Sequence, residues 1–159
     1  MLGQVAKRLG GRPWFARLGR MMVPADRALG RLTKGRFVAL NMRGLPSMLI
    51  TTTGRRSGEP RTNPLLYAPD GDAYIVIGSN WGQQHHPAWS GNLLAQPEAT
   101  VTIGGRQIPV RATLATGEER ERLRSLLLRV WPAYADYEKR AAGRDLRVFR
   151  LAPIVHKGQ

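Results

Sequence analysis

The 159-residue sequence contains no cysteine, which excludes disulfides, a thiolate nucleophile and a thiolate metal site, and nothing points to an oxidising compartment. No apolar run approaches the roughly 20 residues of a membrane-spanning helix. The first residues lack the uninterrupted apolar run and cleavage site of a secretory signal, and repeats and low-complexity tracts are missing. The sequence therefore predicts a cytoplasmic protein, and its 42% hydrophobic content suits one globular domain.

Acidic residues are also scarce. The sequence has 11 Asp and Glu against 25 Lys and Arg, which gives a formal net charge of +14. Residues 1–43 hold ten of the basic residues and the single acid Asp26, so this segment alone carries +9. A basic end on a modestly basic body favours an anionic partner, either a membrane leaflet or a polyanion. A solvated basic tail is the alternative.

The basic end also has an apolar face. Five large apolar side chains recur there at helical spacing: Trp14, Phe15, Leu18, Met21 and Met22. Such a face flanked by arginines is typical of a helix at a membrane interface, and equally of a helix packed on a core. We interpret residues 1–35 as a basic amphipathic helical segment, offering peripheral attachment to the anionic inner face of the cell membrane, and residues 36–159 as the main domain.

Past residue 36 the pattern becomes that of short strands joined in hairpins. Residues 47–53 are rich in β-branched side chains, and the run 73–77 is apolar on both faces. Pro69-Asp70-Gly71 and Gly104-Gly105 are turn signals between such runs. The pattern predicts strands at 47–53, 65–68, 73–77, on both sides of Gly104-Gly105, and at 146–151.

Helices are predicted between these strands. A short one covers 88–95, and Thr116 with Glu119 has the spacing of a capping box at the start of another, which Pro132 ends or kinks. Hairpins with inserted helices indicate an antiparallel α+β domain, which we predict to be a small β-barrel. A βαβ alternation is missing, which counts against a Rossmann domain.

Four stretches hold more polar and aromatic side chains than folding requires. The first, 54–61, is a turn with two glycines, which allow close backbone approach, and three arginines, whose forked donors match phosphate or carboxylate. The second stretch, 78–82, lies where a strand ends, and the third, 87–92, lies at the start of the short helix. The fourth, 131–137, follows the second helix and contains two tyrosines, Tyr134 and Tyr137, which share a face if the chain continues helically. Each stretch alone has an ordinary interpretation as a solvated loop or core packing.

Conventional catalytic groups are missing. His85 and His86 are adjacent and point in different directions, with no third ligand nearby, so no metal site is predicted. The sequence contains neither a Gly-x-Ser-x-Gly nucleophile motif nor a convincing carboxylate pair. An enzyme with this sequence would take its reactive group from a cofactor.

Taken together, the four stretches resemble the deazaflavin-dependent nitroreductase family, split-β-barrel oxidoreductases that use coenzyme F-420. The resemblance runs through Thr51-Thr52-Thr53-Gly54-Arg55-Arg56-Ser57-Gly58, Pro60-Arg61-Thr62-Asn63-Pro64-Leu65, Ser79-Asn80, Pro87-Ala88-Trp89, Asn92-Leu93, Pro97 and Pro132-x-Tyr134-x-x-Tyr137. It covers roughly residues 37–153, in order and at family-like spacing. It implies an α+β split barrel that transfers hydride from reduced coenzyme F-420, an 8-hydroxy-5-deazaflavin, to a small electron-poor acceptor, with no metal.

The resemblance also assigns site residues. It implies that the coenzyme's phosphate and acidic tail are held at the arginine turn, by Arg55, Arg56, Ser57, Gly58 and Arg61. The path to the deazaflavin ring would be lined by Thr62, Asn63, Pro64, Ser79, Asn80 and Trp81, with Ala88 and Trp89 packed beside it. Tyr134 and Tyr137, together with Ser79, would act at the acceptor, where a hydroxyl can donate a hydrogen bond or a proton.

The acceptor and two other interpretations stay open. Trp81 stands where many relatives have glycine, Trp131 stands where nitroimidazole-reducing relatives have another tyrosine, and Glu138 replaces a common glutamine. The acceptor therefore stays open between a quinone, another conjugated carbonyl compound and a nitro compound. A related split barrel that binds flavin mononucleotide would also need arginines for its phosphate. A basic nucleic-acid-binding module would explain the charge, although no such motif is present and no specific nucleic-acid partner is predicted.

Overall fold

The computed structural model describes residue 13 and residues 45–79, 85–141 and 145–155. Its elements follow in the order β1 (Ser47–Thr53), β2 (Pro60–Leu66), β3 (Ala68–Asp70), β4 (Ala73–Ile77), α1 (Ala88–Ala95), β5 (Glu98–Ile103), β6 (Arg106–Leu114), α2 (Gly117–Val130), α3 (Tyr134–Arg140) and β7 (Val148–Pro153). The predicted N-terminal helices and the domain boundary at residue 35 lie outside the described residues. Among the helices that the structure describes, none has the length and apolarity needed to cross a bilayer.

The seven strands form one antiparallel sheet in the order β2-β1-β5-β6-β7-β4-β3. Strands β2 and β3 are its two edges, yet only Tyr67 separates them along the chain. Because a single residue joins the two edge strands, the sheet has to curl until its edges approach each other, as the natural twist of a sheet favours. The predicted antiparallel α+β barrel is confirmed.

The barrel is open along one side. Strand β3 pairs with β4 only from Ala73 to Ile75, so the end of β4 has no strand on that side within the described chain. Strand β2 also has only β1 as a neighbour. The free edge of β2 and the end of β4 are therefore not paired with each other within the described chain, and we call this break in the barrel the seam.

Helix α1 packs against the inner face of the curled sheet. Trp89 and Leu93 are buried there, and the Trp89 ring lies 6.0 Å from the ring of Phe149 on β7. The helix has eight residues and no acidic or basic side chain near its ends. A helix this short owes its stability to packing rather than to propensity. The inner core that holds it is formed by Met48, Ile50, Val76, Ala99, Val101, Val110, Ala112, Phe149 and Leu151.

Helices α2 and α3 pack on the outer face of the sheet. Arg122 pairs with Asp70 at 2.9 Å and ties α2 to β3, and Arg124 pairs with Glu138 at 2.7 Å and ties α2 to α3. The outer core beneath them contains Ile75, Ile77, Leu123, Leu127, Trp131, Tyr134, Tyr137, Leu146 and Val148.

Three strand predictions were displaced along the chain. The strand expected at 65–68 begins at Pro60, because β2 pairs with β1 along its whole length. The first hairpin turns after Asp70, which still pairs with Ala73. The last strand is 148–153 rather than 146–151, because its pairing with β6 extends to Pro153.

The capping-box prediction was right about the position and wrong about the bonds. Thr116 is the N-cap of α2, but its side chain makes no capping hydrogen bond. The carboxylate of Glu119 instead accepts hydrogen bonds from Arg122 at 2.8 and 2.9 Å. The carboxylate thereby makes two hydrogen bonds to one guanidinium group, whereas in a capping box it would accept one from a backbone N–H.

Candidate active site

The arginine turn joins β1 to β2 in a tight loop. Gly54 donates its N–H to the Glu59 carbonyl and accepts a hydrogen bond from the Gly58 N–H, each at 2.8 Å. A Cβ on Gly54 would lie 2.7 Å from the Ser57 Oγ, and Gly58 has φ +73°, so both positions favour glycine. The loop therefore exposes the side chains between its two glycines.

A cavity of about 430 Å³ lies between this loop and α1. Its volume falls in the range of roughly 300–1,000 Å³ that is usual for small-molecule sites. It is lined by Gly54, Arg55, Arg56, Ser57, Pro60, Arg61, Thr62, Asn63, Ala88, Trp89 and Asn92. The fold therefore brings together eight of the predicted binding residues, from two segments about 30 residues apart in the sequence.

Three arginines give the cavity its charge. The side chains of Arg55, Arg56 and Arg61 are exposed, and no carboxylate of the described chain forms a salt bridge with any of them. Arg61 donates to the Ser57 Oγ at 3.5 Å. The lining contains no acidic side chain. Such a site attracts an anion, and guanidinium groups can bind phosphate or carboxylate in bidentate fashion.

The register of β2 decides which side chains face the cavity. Arg61 pairs with Thr52 and Asn63 pairs with Ile50, and both of these partners on β1 are buried on the inner side. Side chains of paired residues share a face, so Arg61 and Asn63 point inward toward α1. Thr62 faces the other way, where its hydroxyl lies 2.9 Å from that of Thr51.

The remaining predicted binding residues lie apart from this lining. Gly58 borders a smaller cavity of about 270 Å³ that is lined mainly by β1 and β5, and Pro64 is a half-buried residue of β2. Ser79 is half-buried and lies two residues beyond the end of β4. Asn80 and Trp81 fall outside the described residues.

The two tyrosines belong to the outer core. Tyr134 is 6% exposed and Tyr137 is 1% exposed, and their rings meet edge to face with centroids 6.1 Å apart. The hydroxyl of Tyr137 accepts a hydrogen bond from Trp131 Nε1 at 3.3 Å. Neither residue lines the 430 Å³ cavity. Burial raises the pKa of both phenols, so each keeps its proton at neutral pH.

Three residues of the cavity lining were missing from the predicted binding set: Gly54, Pro60 and Asn92. Asn92 is 4% exposed, and its amide bonds both Arg55 and Thr52. The available signal was a polar side chain on the same face as Trp89 and Leu93 in an uncharged helix. Buried amides require partners, but the sequence could not say which ones.

The arrangement suits an elongated anion that ends in a flat group. The guanidinium groups of Arg55, Arg56 and Arg61 share one cavity with Ala88, Trp89 and Asn63. No cluster of three or more potential metal ligands occurs among the described residues. An open barrel with such a site is suited to binding an anionic cofactor.

Comparison with known proteins gives the family. The sequence profile described as F420H(2)-dependent quinone reductase matches residues 25–153. The chain belongs to this family of oxidoreductases, whose coenzyme is F-420, as the resemblance in the sequence implied. The match begins ten residues before the predicted boundary at residue 35.

Individual relatives agree with the family match. An F420H(2)-dependent quinone reductase of Mycobacterium tuberculosis is 36% identical over 100 residues, which are 62% of this chain and 67% of that protein. The solved F420-H2 dependent reductase FDR-A is 34% identical with a TM-score of 0.62, covering 67% of this chain and 93% of that one. A heme-binding protein from Mycobacterium smegmatis, 18% identical with a TM-score of 0.54 over 75% of this chain and 49% of that one, shares the fold alone.

Proposed function

We propose that this protein transfers hydride from reduced coenzyme F-420 to a quinone. The observation that carries the proposal is the cavity between the arginine turn and α1, with three cations that no described carboxylate neutralises. Coenzyme F-420 is a phosphodiester that ends in glutamates, so it needs fixed cations at one end and a flat slot at the other. Family membership supports both the coenzyme and the quinone.

Each part of the site has a task in this proposal. Arg55, Arg56 and Arg61 bind the phosphate and the acidic tail. Ala88 and Trp89 pack beside the ring, which extends from the cavity toward the seam. When bound, the reduced coenzyme supplies a hydride. The protein contributes orientation and exclusion of water, which bring donor and acceptor carbons to reacting distance.

The acceptor end is proposed to involve Ser79, Tyr134 and Tyr137. Ser79 lies two residues beyond the end of β4 at Ile77, and Ile77 belongs to the same outer core as both tyrosines. A phenol whose pKa is raised stays protonated, so it can donate a hydrogen bond to the oxygen on which charge develops. Quinone reduction also consumes a proton, which such a hydroxyl can deliver.

We also propose that the enzyme works in the cytoplasm against the membrane. A quinone with a long isoprenoid chain resides in the bilayer, so the enzyme must reach that surface. The basic apolar segment 1–35, with most of the chain's excess positive charge, supports peripheral attachment to an anionic leaflet.

The test is a titration with oxidised coenzyme F-420, followed by the fluorescence of its ring. Saturable binding is expected, together with reoxidation of the reduced coenzyme when a short-chain naphthoquinone is added. Arg61→Ala should weaken binding roughly ten- to hundredfold, because a charge-assisted contact is worth about 1.5–3 kcal/mol. Arg129→Ala, which removes the same charge from an exposed site on α2, is the matched control. Absence of saturation, or equal effects of the two variants, would refute the proposal.

A further inference from the structure

We propose that Gly91 and Asn92 of α1 are positioning residues, which hold Arg55 so that only one edge of its guanidinium group faces the ligand. This inference rests on the proposed function, since it concerns how the anionic tail of the coenzyme is held. Both residues act through Arg55.

The first observation concerns the hydrogen bonds of Arg55. Its Nη1 donates to the Ala88 carbonyl at 3.2 Å and to the Asn92 Oδ1 at 3.1 Å. Nη1 carries two N–H groups, so these bonds occupy that nitrogen fully. Among the described residues no hydrogen bond involves Nε or Nη2, and the edge that they form is therefore the one left for a ligand.

The second observation concerns Gly91. A Cβ built on Gly91 would lie 3.1 Å from Cζ, 3.1 Å from Nη1 and 3.4 Å from Nε of Arg55. The guanidinium group thus rests directly on the helix backbone at this residue. Any side chain here would push the group away from α1, and the two bonds of Nη1 would lengthen or break.

The third observation concerns Asn92. Its Oδ1 accepts from the backbone N–H of Arg55 as well as from Nη1, both at 3.1 Å, and its Nδ2 donates to the Thr52 Oγ1 at 3.1 Å. Asn92 and Thr52 are 4% and 2% exposed, so this network is fixed in the interior. A neutral amide orients the arginine and leaves its positive charge available to a ligand. A carboxylate of the same shape would form an ion pair with the guanidinium group and neutralise that charge.

These contacts give the site a preorganised cation. The free Nε–Nη2 edge has the fork geometry that binds two oxygens of one phosphate or carboxylate. An arginine that is already held in place loses less rotamer freedom when the ligand binds. Arg55 is therefore the arginine at which small changes in α1 should alter coenzyme affinity.

Gly91→Ala separates this role from a structural one. The clash is with the far end of a flexible side chain, so the helix can accept the methyl group. Alanine is a better helix former, so the melting temperature should stay the same or rise by up to about 4 °C. The Kd for oxidised coenzyme F-420 should nevertheless rise roughly tenfold, the smaller effect expected from a lost charge-assisted bond. Leu94→Ala, on the exposed face of the same helix, is the control and should leave Kd unchanged.

The decisive measurement is a double-mutant cycle. Arg55→Ala alone should raise Kd, and adding Gly91→Ala to it should change Kd by less than about twofold, because the two residues are coupled. Asn92→Asp should also raise Kd while the protein melts cooperatively near the wild-type temperature. Additive effects of Arg55→Ala and Gly91→Ala, or an unchanged Kd in Gly91→Ala, would overturn the inference and leave the proposed function intact. A wild-type protein that does not bind the coenzyme would overturn both.

Discussion

Replacing Tyr137 with phenylalanine distinguishes a chemical role of this residue from a packing role, because Tyr137 is the most deeply buried of the proposed site residues that the structure describes. The side chain is 1% exposed, and its hydroxyl accepts a hydrogen bond from Trp131 Nε1 at 3.3 Å. Deleting the hydroxyl removes that bond, which costs about 1 kcal/mol. In a domain of this size such a loss lowers the melting temperature by about 2–4 °C.

A role at the acceptor predicts a much larger effect on turnover. Loss of a proton or hydrogen-bond donor in the transition state lowers kcat by roughly a hundredfold. The Kd for the coenzyme should change little, because the lost interaction strengthens only as charge develops. Burial raises the pKa of Tyr137 above 10.0, so the advantage of tyrosine over phenylalanine should stay constant across neutral pH.

The assay compares kcat, coenzyme Kd and melting temperature for the wild type, Tyr137→Phe and Tyr74→Phe. The Tyr74 control loses the same atom from a half-buried tyrosine that packs on Tyr67 instead, with ring centroids 5.5 Å apart. If Tyr137→Phe loses stability and keeps full turnover on an acceptor that the wild type reduces well, Tyr137 is only a core residue. The proposed donor role would then be wrong.

Two further predictions follow from charge. The Arg122 guanidinium, with help from Arg150, lowers the pKa of Asp70 from 3.8 to about 2, so the pair stabilises the fold above pH 4 and the contribution disappears as the pH falls from about 4 to 2. Asp70→Asn should therefore lower the free energy of unfolding by about 1 kcal/mol at pH 7, given how open the pair is to solvent. Denaturant titrations of the two proteins should give unfolding free energies that converge near pH 2. A difference that stays constant with pH would contradict this. Anionic liposomes should pellet the full chain, and high salt should weaken this effect. A chain starting at Lys34 should stay in solution and still bind coenzyme. Equal pelleting of the two chains would exclude attachment through the N-terminal segment, and unfolding of the shorter chain would assign that segment to the core.

The sequence determined those elements whose signals are local. Strand β1 was predicted at its observed bounds, because β-branched residues and a following glycine act within a few positions. Helix α1 was predicted from Pro87 and Pro97, and Pro132 was predicted to end or kink α2, which does end at Val130. The motifs also carried the family and its coenzyme, because the residues that hold a cofactor keep their order and spacing along the chain.

Only the tertiary structure decided which residues the arginine turn contacts. Arg55 and Asn92 are 37 residues apart, and Asn92 and Thr52 are 40 apart, so no local pattern could pair them. The seam likewise depends on β3 beginning only at Ala68, opposite Ile75, so that Val76 and Ile77 of β4 have no partner on that side within the described chain. Tyr134 and Tyr137 shared a helical face as predicted, but their burial in the outer core was settled by the packing of α2 and α3 on the sheet. Local interactions select the conformation of a segment, whereas long-range packing chooses which of its polar groups meet each other and which are left for a ligand.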